Sequence, residues 1–132
     1  VTDAETCKAE IIALHQLFES WLGEGGGDPS GFDAAFAPRF TMVMPTGRRM
    51  DRAGVLDFLR GALGVRGPGF RIAIEEAEAL HIAPPLVLMH YVERQWFGAV
   101  ETARRAIALF RVEGGQARWL SVQETWITPP PA

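Results

Sequence analysis

Of the side chains most used for metal binding and nucleophilic chemistry, this sequence offers very few: one cysteine, one tyrosine and three histidines in 132 residues. With Cys7 alone no internal disulfide can form and no multi-cysteine zinc site can exist, so a reducing, cytoplasmic setting is expected. No apolar stretch reaches the roughly 18 residues of a membrane span, and VTDAETCKAE lacks the basic-then-apolar order of a signal peptide. No basic stripe or run of like charge interrupts a net charge of -3, which argues against nucleic acid as a partner. The Gly23–Gly27 run has neither the spacing of a phosphate-binding loop nor a strand before it and reads as a connector.

What remains is ample apolar material for one core, with 48% hydrophobic residues in a chain of single-domain length, 1–132, ending in a proline-rich tail at 128–132. The chain is organised around LVLMHYVERQWF, TARRAIALFRV and ARWLSVQETWI. These runs are rich in β-branched and aromatic residues and are broken at Gly98-Ala99 and Gly114-Gly115-Gln116, as expected of an antiparallel meander. Ahead of it, Ile11, Leu14, Leu17, Phe18, Trp21 and Leu22 recur at helical spacing over Asp3–Leu22. A short second helix is expected around Phe32–Phe36, ending at Pro38. A strand follows over Phe40–Pro45, then a return at Arg48–Met50, a third helix capped by Asp51, and a long strand over Phe70–Ile82. Helices on one side of a bent sheet make the fold class α+β.

This order resembles the nuclear transport factor 2-like superfamily, which includes SnoaL-like cyclases, ketosteroid isomerase and a kinase association domain. The pieces that carry the likeness are FESWLGEGG, MVMPTGRRMDRAGVLDFL and RAIALFRVEGGQARWLSVQETW. The resemblance implies a cone-shaped, strongly bent antiparallel or mixed sheet wrapped around N-terminal helices, a cystatin-like fold. It implies a pocket on the concave face and dimerisation on the flatter one. Two catalytic carry-overs fail. Met44 stands where the isomerase has its general-base aspartate, and Gln123 and Thr125 stand where many relatives have His-x-His.

Side chains alternate across a strand, so pairing decides which residues share the pocket face. Pairing Arg94 with Arg104 and Ala106 with Glu124 puts His90, Arg94, Trp96, Arg104, Ala106, Glu124 and Trp126 on the inner face. Tyr91, Glu93, Gln95, Trp119 and Ser121 then face outward, onto a homodimer surface. In this arrangement Arg94 and Arg104 clamp an anionic group, His90 or Glu124 moves a proton, and Ala106 leaves room for a ligand. Trp96 and Trp126 stand at the rim, with Met44 at the mouth. The plainer reading pairs Arg104 with Glu124 and Arg94 with Glu75 as structural ion pairs. His15 and His81 join no metal site, and Ser20, Ser121 and Cys7 sit in no nucleophile context. The expected function is binding of a small organic molecule in a mostly apolar pocket. Cofactor-free isomerase, cyclase or dehydratase chemistry comes from the resemblance alone. The alternative is a non-catalytic dimeric binding or assembly domain of the same fold.

Overall fold

The computed structural model describes residues 1–132. Helix α1 (Asp3–Leu22) starts at a reciprocal cap: Thr2 Oγ1 accepts from the Glu5 amide at 3.1 Å, and Glu5 Oε2 accepts from the Thr2 amide at 2.9 Å. Its apolar stripe buries Cys7, Ile11, Leu14 and Trp21, and His15 lies on the same buried side. The helix ends at Gly23, where a Cβ would fall 2.6 Å from the Glu19 carbonyl oxygen.

Helix α2 (Ser30–Ala35) leads directly into strand β1 (Phe36–Val43). The strand therefore starts before Pro38, where the sequence reading ended a helix. Pro38 is tolerated because the pairing of β1 with its neighbour is irregular between Phe36 and Thr41, so a missing amide costs no regular ladder bond. Strand β2 (Arg49–Asp51) returns antiparallel to β1. Asp51 then caps helix α3 (Arg52–Arg60), its Oδ1 accepting from the Gly54 amide at 2.9 Å.

The remaining strands are β3 (Arg71–Ala83), β4 (Leu86–Phe97), β5 (Val100–Glu113) and β6 (Gln116–Thr128). They complete one six-stranded sheet in the order β2-β1-β6-β5-β4-β3, antiparallel except where β1 runs parallel to β6. The fold is α+β, with a curled mixed sheet whose inner face packs against α1 in a continuous apolar core. No helix is long and apolar enough to cross a membrane.

One register corrects the sequence reading and rearranges the site. The β4–β5 turn is a two-residue loop, Gly98-Ala99, closing on the pair Phe97 and Val100 with Gly98 at φ 60. That sets Glu93 opposite Arg104 and Arg94 opposite Ala103, one residue away from the expected Arg94–Arg104 pair. Because the side-chain period is two, the slip exchanges every β4 residue between faces. His90, Arg94 and Trp96 lie on the outer face, and Tyr91, Glu93 and Gln95 lie on the inner one. The Ala106–Glu124 pair does form, because a bulge between Leu109 and Phe110 adds one residue on β6. The same bulge turns Trp119 inward, opposite Phe110, against the expected outward position.

Candidate functional site: a charged floor in an apolar cavity

Between α1, α3, the β1–β2 turn and the inner face of β4–β6 lies a cavity of about 290 Å³, and most of its lining is hydrophobic. Met42, Met44, Phe18, Phe40 and Trp119 are among its walls, and Trp126 and Pro130 border it where the last strand leaves the sheet. The polar groups at its floor converge from four elements: His15 from α1; Tyr91, Glu93 and Gln95 from β4; Arg104 from β5; Glu124 from β6.

His15 is a buried histidine with an acceptor on each ring nitrogen. Its Nδ1 lies 2.7 Å from the carbonyl of Ile11 and its Nε2 lies 3.0 Å from Glu93 Oε1. A neutral imidazole has one N–H, so with Glu93 ionised both contacts are satisfied together only by an imidazolium facing a carboxylate. The electrostatics agree. Burial alone would lower the His15 pKa, but the Glu93 charge and hydrogen bond raise it above its ordinary value. Burial would raise Glu93, yet the His15 charge and hydrogen bond, with help from Arg104 and Gln95, pull it down to about 2. Gln95 Nε2 donates to the other Glu93 oxygen at 2.6 Å. Glu93 is thus a fixed anion with both oxygens occupied.

Glu124 has the opposite character. It is 8% exposed, and burial together with the nearby Glu93 charge pushes its carboxyl up to about 7, despite Arg104 beside it. Arg104 donates to Glu124 Oε1 over a long 3.4 Å, and its guanidinium lies 4.8 Å from the centre of the Trp126 ring. Glu124 Oε2 has no partner in the protein. The Tyr91 hydroxyl likewise makes no hydrogen bond, although the side chain is 1% exposed and burial holds its pKa well above the ordinary tyrosine value. Tyr91 is directly opposite Ala106, which is opposite Glu124, so the phenol and the carboxyl flank the small side chain of the middle strand. A pair of carboxyls with pKa values driven apart, beside a free phenol and a guanidinium, can hold and move a proton near neutral pH.

Of the residues singled out in the sequence, Arg104, Glu124, Trp126 and Met44 line this cavity, and Ala106 is fully buried beneath it. His90, Arg94 and Trp96 do not reach it. Arg94 Nε donates to Glu75 at 3.0 Å, and with the Arg104–Glu124 contact both structural ion pairs of the plainer reading are present. His90 Nδ1 donates to the Glu76 carbonyl at 3.2 Å, and its Nε2 accepts from Arg105 at 2.6 Å, so both ring nitrogens are committed on the outer face. Sequence reasoning missed His15, Tyr91, Glu93 and Gln95. The available signal was the turn itself, since a two-residue Gly-Ala loop puts Glu93 rather than Arg94 opposite Arg104. No group of three or more His, Cys, Asp or Glu side chains is arranged to hold a metal ion.

The curled sheet, the helices packed in its concavity and the cavity between them make an NTF2-like, cystatin-like fold. An NTF2-like protein of unknown function from Pseudomonas aeruginosa superposes with a TM-score of 0.85 at 28% identity, over 92% of this chain and 98% of that one. A cystatin-fold protein from Caulobacter vibrioides matches with a TM-score of 0.67 at 18% identity, covering 92% and 90% of the two chains. A candidate ketosteroid isomerase from Parabacteroides distasonis matches with a TM-score of 0.65 at 11% identity, over 90% and 86%. No protein-family model and no curated protein matches the chain.

Proposed function

We infer that the cavity binds a small, mostly apolar organic molecule and carries out cofactor-free proton transfer on it, with Glu124 as the acid–base group. The observation that carries this reading is the divergence of two adjacent carboxyls. Glu93 is locked as an anion, while Glu124 is held near 7 with one oxygen free toward the cavity. In the proposed cycle the ionised Glu124 takes a proton from a carbon or oxygen of the ligand and returns it elsewhere on the same molecule. The Tyr91 hydroxyl and Arg104 stabilise the negative charge that develops. The His15–Glu93–Gln95 chain fixes the floor in place. Isomerisation, cyclisation and dehydration all fit this scheme, and the fold likeness to a candidate ketosteroid isomerase is consistent with the first.

The non-catalytic alternative draws on the Arg104–Glu124 and Arg94–Glu75 ion pairs. A binding domain would use the cavity but would leave the divergent Glu93 and Glu124 carboxyls without a role. The proposal also keeps the outer sheet face, where Ile107 is 38% exposed beside Arg105 and Leu109, as a homodimer surface. The buried single thiol Cys7 suits a reducing compartment such as the cytoplasm.

The test is hydrogen–deuterium exchange into a panel of cyclic enolisable ketones in D2O, followed by NMR with wild-type protein and Glu124→Gln. Exchange above the buffer rate that falls about 100-fold or more in the variant supports the reading. Exchange no faster than buffer, or unchanged by Glu124→Gln, overturns it.

A further inference from the structure

The charges that line the cavity do not cancel. At the floor, the His15 imidazolium faces Glu93, and Arg104 faces Glu124. One lining charge is left over, Arg66, in the segment between α3 and β3. Arg52, Arg60, Arg94, Arg105 and Arg111 pair with carboxylates, whereas Arg39, Arg48, Arg49, Arg71 and Arg118 do not, but none of these lines the cavity. Arg66 has no carboxylate within ion-pair distance, yet it is held in place from two directions. Its amide donates to the Leu22 carbonyl at 2.8 Å, tying the segment to the end of α1, and its guanidinium sits 4.2 Å over the Phe97 ring. A cation stacked on a ring and tethered through its main chain is oriented without being neutralised.

Arg66 is exposed and so lies at an opening of the cavity, as do Thr46 and Pro130 elsewhere on its lining. The lining residues around it are solvent-exposed and apolar, with Phe58 at 52% and Val65 at 66% exposure. A ligand filling the cavity therefore meets two carboxyl groups and their partners at the buried end, apolar walls along its length, and an unpaired guanidinium at the exit. An anionic group at the buried end would be pressed against Glu93 and Glu124. At the exit it would meet Arg66 and no opposing carboxylate.

The geometry points to Arg66 as a specificity-determining residue that binds a terminal anionic group of the ligand. The substrate class is thus an apolar molecule bearing a carboxylate or similar anion at the end remote from the reacting atoms, which enters with its apolar, uncharged end first. This inference rests on the proposed use of the cavity and adds the polarity and orientation of what it takes. Arg104 then serves the charge that develops at the floor, and Arg66 serves the charge the ligand already carries.

Calorimetric titration separates the two claims. The probes are three apolar carboxylates, 2-naphthoate, 4-phenylbutyrate and octanoate, each compared with its uncharged primary amide, on wild-type protein and on Arg66→Gln at low and at 0.5 M salt. The expected result is carboxylate binding roughly three- to ten-fold tighter than the amide, a preference lost at high salt and in Arg66→Gln, with amide affinity unchanged by the substitution. Equal affinity for acid and amide overturns the assignment of Arg66 and leaves the cavity reading intact. So does a carboxylate preference that survives Arg66→Gln, because the anion would then lie elsewhere. Failure of every probe, charged and uncharged, overturns the cavity reading and this inference with it.

Discussion

Replacing Glu124 with glutamine should make the protein more stable at pH 8 and leave it nearly unchanged at pH 4. Unfolded, a glutamate titrates near its model value of 4.5, whereas the folded site holds Glu124 at about 7. The folded state therefore keeps a proton that the unfolded chain gives up. Stability from this group is fully present below pH 4.5, declines as pH rises through 7, and is gone above it. The interval of about 2.5 pH units corresponds to roughly 3 kcal/mol, at 1.36 kcal/mol per unit. Glutamine imitates the protonated carboxyl in shape and lacks its titration, so the variant should escape this loss. The cost it adds is a weaker partner for Arg104, which trims the gain. Urea unfolding of both proteins from pH 4 to 8.5 measures the difference directly, and stabilities that converge toward pH 4, diverge between about 4.5 and 7 and run parallel above that are expected. Parallel curves for wild type and Glu124→Gln across the whole range would refute the reasoning, because they would mean that Glu124 titrates alike in both states.

Glu93→Gln should act in the other direction, destabilising by about 3–5 kcal/mol at neutral pH, because it leaves a buried imidazolium at His15 without its counter-charge; thermal or urea unfolding reads this. Tyr91→Phe removes a hydroxyl with no partner in the protein, so stability should move by less than about 1 kcal/mol while ketone exchange slows; a large loss of stability would show that the phenol is structural. Arg94→Ala, on the outer face in a half-exposed pair, should change stability by about 1 kcal/mol or less and leave ligand binding untouched, which checks the register of β4 by calorimetry. Sedimentation should show a homodimer that Ile107→Glu converts to a monomer with unchanged circular dichroism; a wild-type monomer at all concentrations removes the outer face from self-association.

The elements were legible in the sequence because each has a local cause. The spacing of Ile11, Leu14 and Trp21 marks α1, Asp51 caps α3, and the glycine-punctuated aromatic and β-branched runs mark β4 to β6. The site was legible on β5 and on the end of β6, and misread on β4 and at Trp119, which the β6 bulge turns inward. Ala106 opposite Glu124 placed Arg104, Glu124 and Trp126 correctly with respect to the concave face. One residue of register in β4 put His90 and Arg94 where Tyr91 and Glu93 belong. Local composition does not resolve that register, since both parities of VERQWF carry polar and aromatic side chains. Only the turn geometry and the packing of His15 from α1, 78 residues away in the chain, select between them. His15 itself carries no sequence signal, because its partner is fixed by tertiary packing.

The most direct test of the account is the titration of Glu124 itself, followed by carboxyl carbon-13 NMR with the signal assigned by its loss in Glu124→Gln. A midpoint near 7 for Glu124, with Glu93 still ionised down to about pH 2, is the predicted result. A Glu124 midpoint at the ordinary glutamate value would contradict it and leave the cavity without its acid–base group.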